Sequence, residues 1–344
     1  MLSLLPVRSA RFTRRAGALV IALSLLSSIA ACATEEAPAP VEEPSSDTAT
    51  VDEGVVEATS LLGEPLRRPA LPDETRARLE ANLATAEDEL AASPDSEDAI
   101  IWVGRRLAYL SRYAEAIDVF SQGIEQFPDS YRLRRHRGHR YISTRQLDLA
   151  IADLDAAAAL AADHEDQTEP DGAPNALGIP LGTDKFNIWY HLALAHYLNG
   201  DFESALDAYE ECLAVSVNPD LLVATTDWMV MTLRRMGRVD ETAVLLEPIT
   251  ADMEIIENDS YHRRLLMYKG ELQPEELLDL RAVEDPDQAV QIATQGYGVG
   301  NWYLTSGDEA QAIEVYERIL GGTSWAAFGY IAAEADLARL RGTE

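Results

Sequence analysis

The sequence predicts an all-α fold in which helix hairpins stack in a row, and three observations carry that prediction. Beyond Asp73 apolar residues recur at spacings of three and four, with much Ala and Leu, which is the period of a helix with one buried face. No stretch alternates apolar and polar residues as a half-buried strand would. Small and apolar residues also recur at a fixed distance: Gly104 and Gly138, Ala116 and Ala150, and Phe120 and Leu154 each lie 34 positions apart. A period of this size marks a repeated supersecondary unit that buries its apolar face only by stacking on its neighbours.

The elements follow in chain order. Residues 1–31 carry Arg8, Arg11, Arg14 and Arg15 and no acid, and then the apolar run Ala16 to Ala31 ends on Cys32. A basic head before a short apolar stretch is the layout of an export signal. The run is shorter than the ~20 residues that span a bilayer. Ile29-Ala30-Ala31-Cys32 resembles the lipobox of bacterial lipoproteins. The resemblance implies that the Cys32 thiol carries a diacylglycerol and that cleavage leaves Cys32 as the acylated N-terminus. Each buried lipid methylene adds ~0.8 kcal/mol of membrane affinity, so two or three chains anchor durably. Ala33 follows the cysteine where an aspartate would retain the protein at the inner membrane, so by resemblance the outer membrane is the destination in a Gram-negative cell, on its periplasmic or surface face. In another cell it is the outer face of the plasma membrane.

From Cys32 to residue 72 the chain is rich in Glu, Ala, Pro, Ser and Thr, with no basic residue before Arg67. Such composition offers too little apolar surface to offset chain entropy and predicts a disordered tether. Forty such residues reach ~35 Å. The body, 73–344, opens with a helix from Asp73 to Ala92, stopped by Ser93-Pro94. The first repeat, 97–130, contains Ile100-x2-Val103-Gly104-x2-Leu107, then Tyr113-x2-Ala116-x3-Phe120 and Pro128. The second is 131–164. After an insertion at 165–184 the third, 186–219, reads Trp189-x2-Leu192-Ala193 and then Gly200-Asp201-Phe202-x2-Ala205-x3-Tyr209. A fourth, 223–256, is centred on Met229, Gly237 and Leu246; a degenerate fifth occupies 257–290, and a sixth, 293–326, carries Gly300, Gly307, Ala312 and Tyr316. The last amphipathic stretch, 324–341, reads as a capping helix.

These units resemble the tetratricopeptide repeat (TPR), a 34-residue helix hairpin. The whole also looks like a group of bacterial TPR lipoproteins without a settled activity, in which a long insertion precedes an NIWYHL-type helix, here Asn187 to Leu192. The resemblance implies a right-handed superhelix whose concave wall, lined by the first helix of each hairpin, binds peptide or protein segments. The corresponding wall residues are Trp102, Arg105 and Tyr109, then Arg132, Arg135, His136 and His139, then Asn187, Tyr190, His191, Asp227 and Trp228.

Charge singles out the second unit. The chain holds 28 Lys+Arg against 59 Asp+Glu, a net charge of −31, which repels a phosphate backbone and argues against nucleic acid as a partner. Yet Tyr131 to Leu147 contains six arginines, two histidines and no acid. Two readings stand: guanidinium groups assembled to clamp a carboxylate or phosphate, or arginines paired with acids of neighbouring helices. Arg134 and Arg137 fall where the repeat pattern wants apolar residues, so both need partners or water. The acidic, Pro- and Gly-rich insertion that follows is long for a connection in a compact domain. Two readings stand for it as well: a lid or built-in ligand mimic folded over the basic helix, or a solvated spacer.

Other chemistry is thin. Two cysteines make no disulfide framework or four-thiolate zinc site, and Cys212 among small residues reads as inert and buried. His136 and His139 sit one turn apart among arginines that repel a cation. Gly296-Tyr297-Gly298-Val299-Gly300 lacks the preceding strand of a nucleotide fingerprint, and there is no serine elbow or HExxH. The expectation is a non-enzymatic, membrane-anchored scaffold without metal or cofactor, binding a partner's acidic or C-terminal carboxylate segment in a basic, aromatic groove. A small-molecule or glycan receptor in uptake is the alternative.

Overall fold

The structure is a computed structural model and describes residues 54–278 and 289–342. The signal segment, Cys32, the first part of the tether and the second half of the degenerate fifth repeat lie outside the described residues. Two short strands, β1 (Val56–Thr59) and β2 (Pro65–Arg67), precede the helices α1 (Asp73–Ala92), α2 (Glu97–Tyr109), α3 (Tyr113–Gln126), α4 (Tyr131–Ser143) and α5 (Leu147–Ala161). After the insertion come α6 (Asp184–Leu198), α7 (Phe202–Ala214), α8 (Pro219–Arg235), α9 (Thr242–Leu246), α10 (Asp259–Tyr268) and α11 (Pro274–Leu277). The described chain ends with α12 (Ala289–Thr305), α13 (Glu309–Leu320) and α14 (Phe328–Arg341).

The first helix of four units is started by a local cap. Ser96, Ser130, Thr183 and Asn218 accept the backbone N–H three residues on, at the starts of α2, α4, α6 and α8, and each such cap is worth ~1 kcal/mol. The hairpin seams are equally legible. Ala116, Ala150, Ala205 and Ala312 have no exposed surface, and Phe120, Leu154, Tyr209 and Tyr316 are buried beside them. A Cβ on Gly104 would lie 2.4 Å from the Phe120 ring, one on Gly138 2.7 Å from Leu154, and one on Gly300 2.4 Å from Tyr316. The glycine is therefore what lets the two helices of a hairpin approach.

The turn between the paired helices has its own repeat. The positions Ser111, Arg145, Gly200, Gly237, Gly270 and Gly307 all have positive φ, between 57° and 91°, one in each of the six units. Glycine supplies this left-handed turn freely, whereas an L side chain costs about 1–2 kcal/mol there. Arg145 is one of the two exceptions. Its side chain is buried, donating to both oxygens of Glu334 at 3.0 and 2.9 Å and to the Trp325 carbonyl at 2.8 Å.

Units four and five depart from the pattern. Their second helices shrink to α9 and α11, of 5 and 4 residues, so α10 and α12 pack directly on α8. This covers α8 all round: every residue from Val223 to Leu233 is buried.

The ends differ from expectation. The predicted disorder does not extend over 54–72: β1 and β2 form an antiparallel hairpin. Glu57 on β1 accepts the backbone N–H groups of Tyr113 and Ala114 at 2.9 and 3.1 Å, capping α3, and pairs with Arg68. The Trp325 indole N–H donates to the Arg67 carbonyl at 2.7 Å. Composition counts only the apolar surface a segment brings, and this one borrows its partner surface from the body. The C-terminal helix is likewise more than an end cap, because Ile331 to Ala338 are all buried. Glu334 binds Arg145 of unit two, Asp336 binds Arg235 of unit four, and Phe328 packs on His139 and His191. α14 therefore lies against the first helices of units two to four, the row that would otherwise form an open inner wall.

Candidate functional site

The six arginines of Tyr131 to Leu147 divide by helix face, because residues three and four apart share a side. Arg134 and Arg137 point toward α5. Arg137 grips the Asp153 carboxylate at 2.6 and 2.8 Å and the Ser121 hydroxyl at 3.0 Å, and Arg134 lies 3.7 Å from Asp153. Arg132 pairs with Asp98 at 2.6 Å. With Arg145 on Glu334, these four arginines have acids of neighbouring elements, so for them the simple pairing reading holds.

Arg135 and Arg140 face the other way, with His136 and His139, toward α2 and the insertion. Arg105 from α2 joins them. One carboxylate enters this group, and it comes from the insertion. Glu169 lies 3.1 Å from Arg135, 3.7 Å from Arg105 and 3.9 Å from the His136 Nε2, and accepts from the Asn187 amide at 2.9 Å. The neighbouring insertion carbonyls of Pro170 and Gly172 accept from Arg105 and Arg106 at 2.8 and 3.3 Å. A Cβ on Gly172 would fall 2.0 Å from the Tyr109 hydroxyl, so the glycine permits this close approach. The insertion thus covers the basic helix, held by Glu169 and two backbone carbonyls, while most of it is exposed. Its base is closed by a Thr168–Thr183 bridge.

Behind Glu169 lies a cavity of about 140 Å³ walled by Arg105, Tyr109, Phe120, Arg135, His139 and Arg140. In front of it an outer cavity of about 210 Å³ carries Asp171 and Glu257. Glu169, Arg105 and Arg135 belong to both, so the carboxylate is the partition. Burial, with Arg135, Arg105 and Arg140 alongside, holds His136 well below the usual imidazole range. Burial and then Arg140 do the same for His139, and burial and then Arg135 for His191. All three are neutral at pH 7. Arg135 NH1 donates to the His136 Nδ1 at 2.8 Å, so the His136 proton sits on Nε2 and faces Glu169.

The other expected wall residues do not form one open surface. Trp102 lies beneath the guanidinium groups of Arg105 and Arg106, at 4.5 and 4.7 Å. Tyr190 and His191 are buried under Phe328. Asp227 and Trp228 are core residues, a correction to the wall reading: both are fully buried, Asp227 clamped by Arg264 and the Trp228 indole donating to the Tyr190 hydroxyl at 2.7 Å. The cause is the packing of α10 and α12 on α8, where a regular array leaves the first helix bare. Arg140 and Glu169 were absent from the expected set. Arg140 is signalled by its place five residues after Arg135 in the same run; Glu169 carries no signal beyond the acidity of its loop.

The remaining constellations are packing. Gly298 and Gly300 make room for Arg264 and Tyr316. Cys212 is fully buried with its thiol 3.2 Å from the Thr225 hydroxyl, and burial pushes it up to about 12. Among the described residues no cluster of three His, Cys, Asp or Glu could hold a metal, and no helix is long and apolar enough to cross a membrane.

Comparison with known proteins identifies one of the hairpins by sequence. The tetratricopeptide repeat model matches residues 186–216. The chain is similar to YrrB, described as a TPR protein with an unusual peptide-binding site, at 12% identity over 73% of this chain and 97% of that one, with a TM-score of 0.37. It is similar to MamA MSR-1 at 16% identity over 49% and 84%, with a TM-score of 0.36. No curated protein matches the sequence. With six left-handed hairpin turns at the spacing of its units and a matched repeat over α6 and α7, the chain is a TPR-containing protein built as an all-α array of helix hairpins.

Proposed function

We propose that the protein is a non-enzymatic interaction scaffold of the bacterial cell envelope, anchored by lipid at Cys32, that receives a carboxylate-bearing segment of a protein partner on Arg105 and Arg135. The supporting observation is Glu169. An acidic segment of the chain itself already rests its carboxylate on these two guanidiniums and hangs its backbone carbonyls on Arg105 and Arg106, which is how an acidic peptide would be held. The partner's segment replaces the insertion. The resting state is closed, because the insertion is tethered next to its site and competes at high effective concentration.

Fluorescence anisotropy with a labelled acidic peptide tests the reading. Binding is expected to weaken with salt, to tighten in Glu169→Gln and to vanish in Arg135→Ala. An acidic peptide that binds neither the wild-type chain nor Glu169→Gln would remove the proposal. The anchor is tested separately, by incorporation of labelled fatty acid that is lost in Cys32→Ser.

A further inference from the structure

We infer that the cavity behind Glu169 is a binding site for a small free oxyanion, phosphate or a carboxylate, centred on Arg140. The inference goes beyond the proposed peptide contact and stands whether or not Glu169 is displaced, because the cavity is present with Glu169 in place.

Three observations converge on it. First, Arg140 has no carboxylate and no hydrogen-bond acceptor among the described residues; its one neighbour of note is the Tyr113 ring, 5.4 Å from its guanidinium carbon. Its side chain is half-buried, and this partial loss of water pulls its pKa down to about 10, so it stays charged at pH 7 with no acid to replace the hydration it has lost. Two arginines that are buried or nearly so elsewhere in the chain, Arg145 and Arg235, each meet an acid. Second, the charge of the cavity does not balance. Arg105, Arg135 and Arg140 face it with Glu169 as the only carboxylate in its wall, and the histidines beside them are neutral. Two positive charges remain without a partner, and the Arg135 Nε is buried without an acceptor. A charge drawn partly out of water is steadied by pairing, and the partner this cavity lacks is an anion from outside.

Third, the wall is made of donors. Arg140, the His136 Nε2–H and the Tyr109 hydroxyl, which accepts from Arg105 at 3.4 Å and so keeps its own proton to donate, all border the same space. Acceptors other than Glu169 are scarce there. Phe120, stacked on His136 at 5.6 Å, closes the floor and excludes water from one side. An oxyanion with several acceptor lone pairs and at least one negative charge answers this set; a cation or neutral sugar does not.

The test is titration calorimetry and thermal shift on the purified chain with inorganic phosphate, with acetate, and with chloride at matched ionic strength. Saturable binding of phosphate or acetate above the chloride control is expected, lost at least tenfold in Arg140→Gln and kept in the remote Arg341→Gln. Equal affinity in Arg140→Gln, or no saturable binding by either oxyanion, overturns the inference. Should Arg140→Gln fail to fold, Glu169→Gln decides, since removing the neighbouring negative charge is expected to tighten phosphate about tenfold; an unchanged or weaker affinity overturns it. Peptides with free and amidated C-termini separate the sources of the anion. Competition of phosphate by the free-carboxylate peptide alone assigns the natural occupant to a partner's C-terminus, and no competition leaves it a free anion. Peptide binding without phosphate binding overturns this inference and spares the proposed function.

Discussion

The protein buries charge in two regions, and the two are built differently. Along the C-terminal helix every buried charge meets its opposite. Asp336 is fully buried among Arg235, Arg339 at 2.6 Å and the Tyr297 and Tyr316 hydroxyls at 3.1 and 3.2 Å, while Glu334 meets Arg145 and the Leu61 N–H. Under the insertion, Arg105 and Arg135 share one carboxylate and Arg140 beside them has none. Matched charges orient parts of a fold at little net gain, because pairing mostly repays desolvation. Unmatched ones cost stability without orienting anything, and a folded chain keeps such a cost where a ligand repays it.

The largest effect should come from breaking a match. Asp336→Ala leaves Arg235 and Arg339 facing each other without their shared acid and is expected to destabilise by about 3–5 kcal/mol in urea unfolding. If the loss is under ~1 kcal/mol, the seam is not a matched network. Overfilling the dry seam comes next. Gly138→Leu must displace Leu154 and is expected to cost about 1–3 kcal/mol.

The opposite substitution should cost nothing. Arg140→Met, measured in chloride buffer without added oxyanion, removes an unpaired, half-buried cation and is expected to leave stability unchanged or raise it by about 1 kcal/mol. A loss comparable to that of Asp336→Ala would make the two regions alike.

A pH slope tests the same cavity through its histidines. His136, His139 and His191 are held neutral in the fold by burial and by Arg105, Arg132, Arg135 and Arg140 around them, with Glu169 opposing at His136 and the His139 and His191 rings in contact at 4.3 Å. Their folded pKa values lie below the unfolded 6.5, so the unfolded chain binds more protons and stability falls as pH drops below about 6.5. Added phosphate should flatten this slope, since an anion in the cavity offsets the arginines. A melting temperature flat between pH 7 and pH 5 would contradict the neutral-histidine reading.

Much of the fold was legible before any coordinates. The 34-residue recurrence of Gly104 and Ala116 located the seams, and Asp73 and Ala92 bounded the first helix, because hairpin contacts and helix ends are local rules repeated in each unit. The site was half legible. The run Tyr131 to Leu147 announced an excess of positive charge and the insertion announced an acidic neighbour, but nothing in the run said which arginines face α5 and which face the cavity.

The sequence by itself determined the class, the period and the acidity, since class and period are set by residues within one turn or one repeat of each other and acidity by composition alone. Only the tertiary structure decided that α14 lies along the inner helices, that 54–67 folds onto the body, that Asp227 and Trp228 are core, and that Glu169 seats between Arg135 and Arg105. These contacts join residues far apart in the chain, Arg145 with Glu334 and Leu61 with Glu334 among them. Their energies depend on which charges meet after stacking, and composition cannot count pairs that do not yet exist.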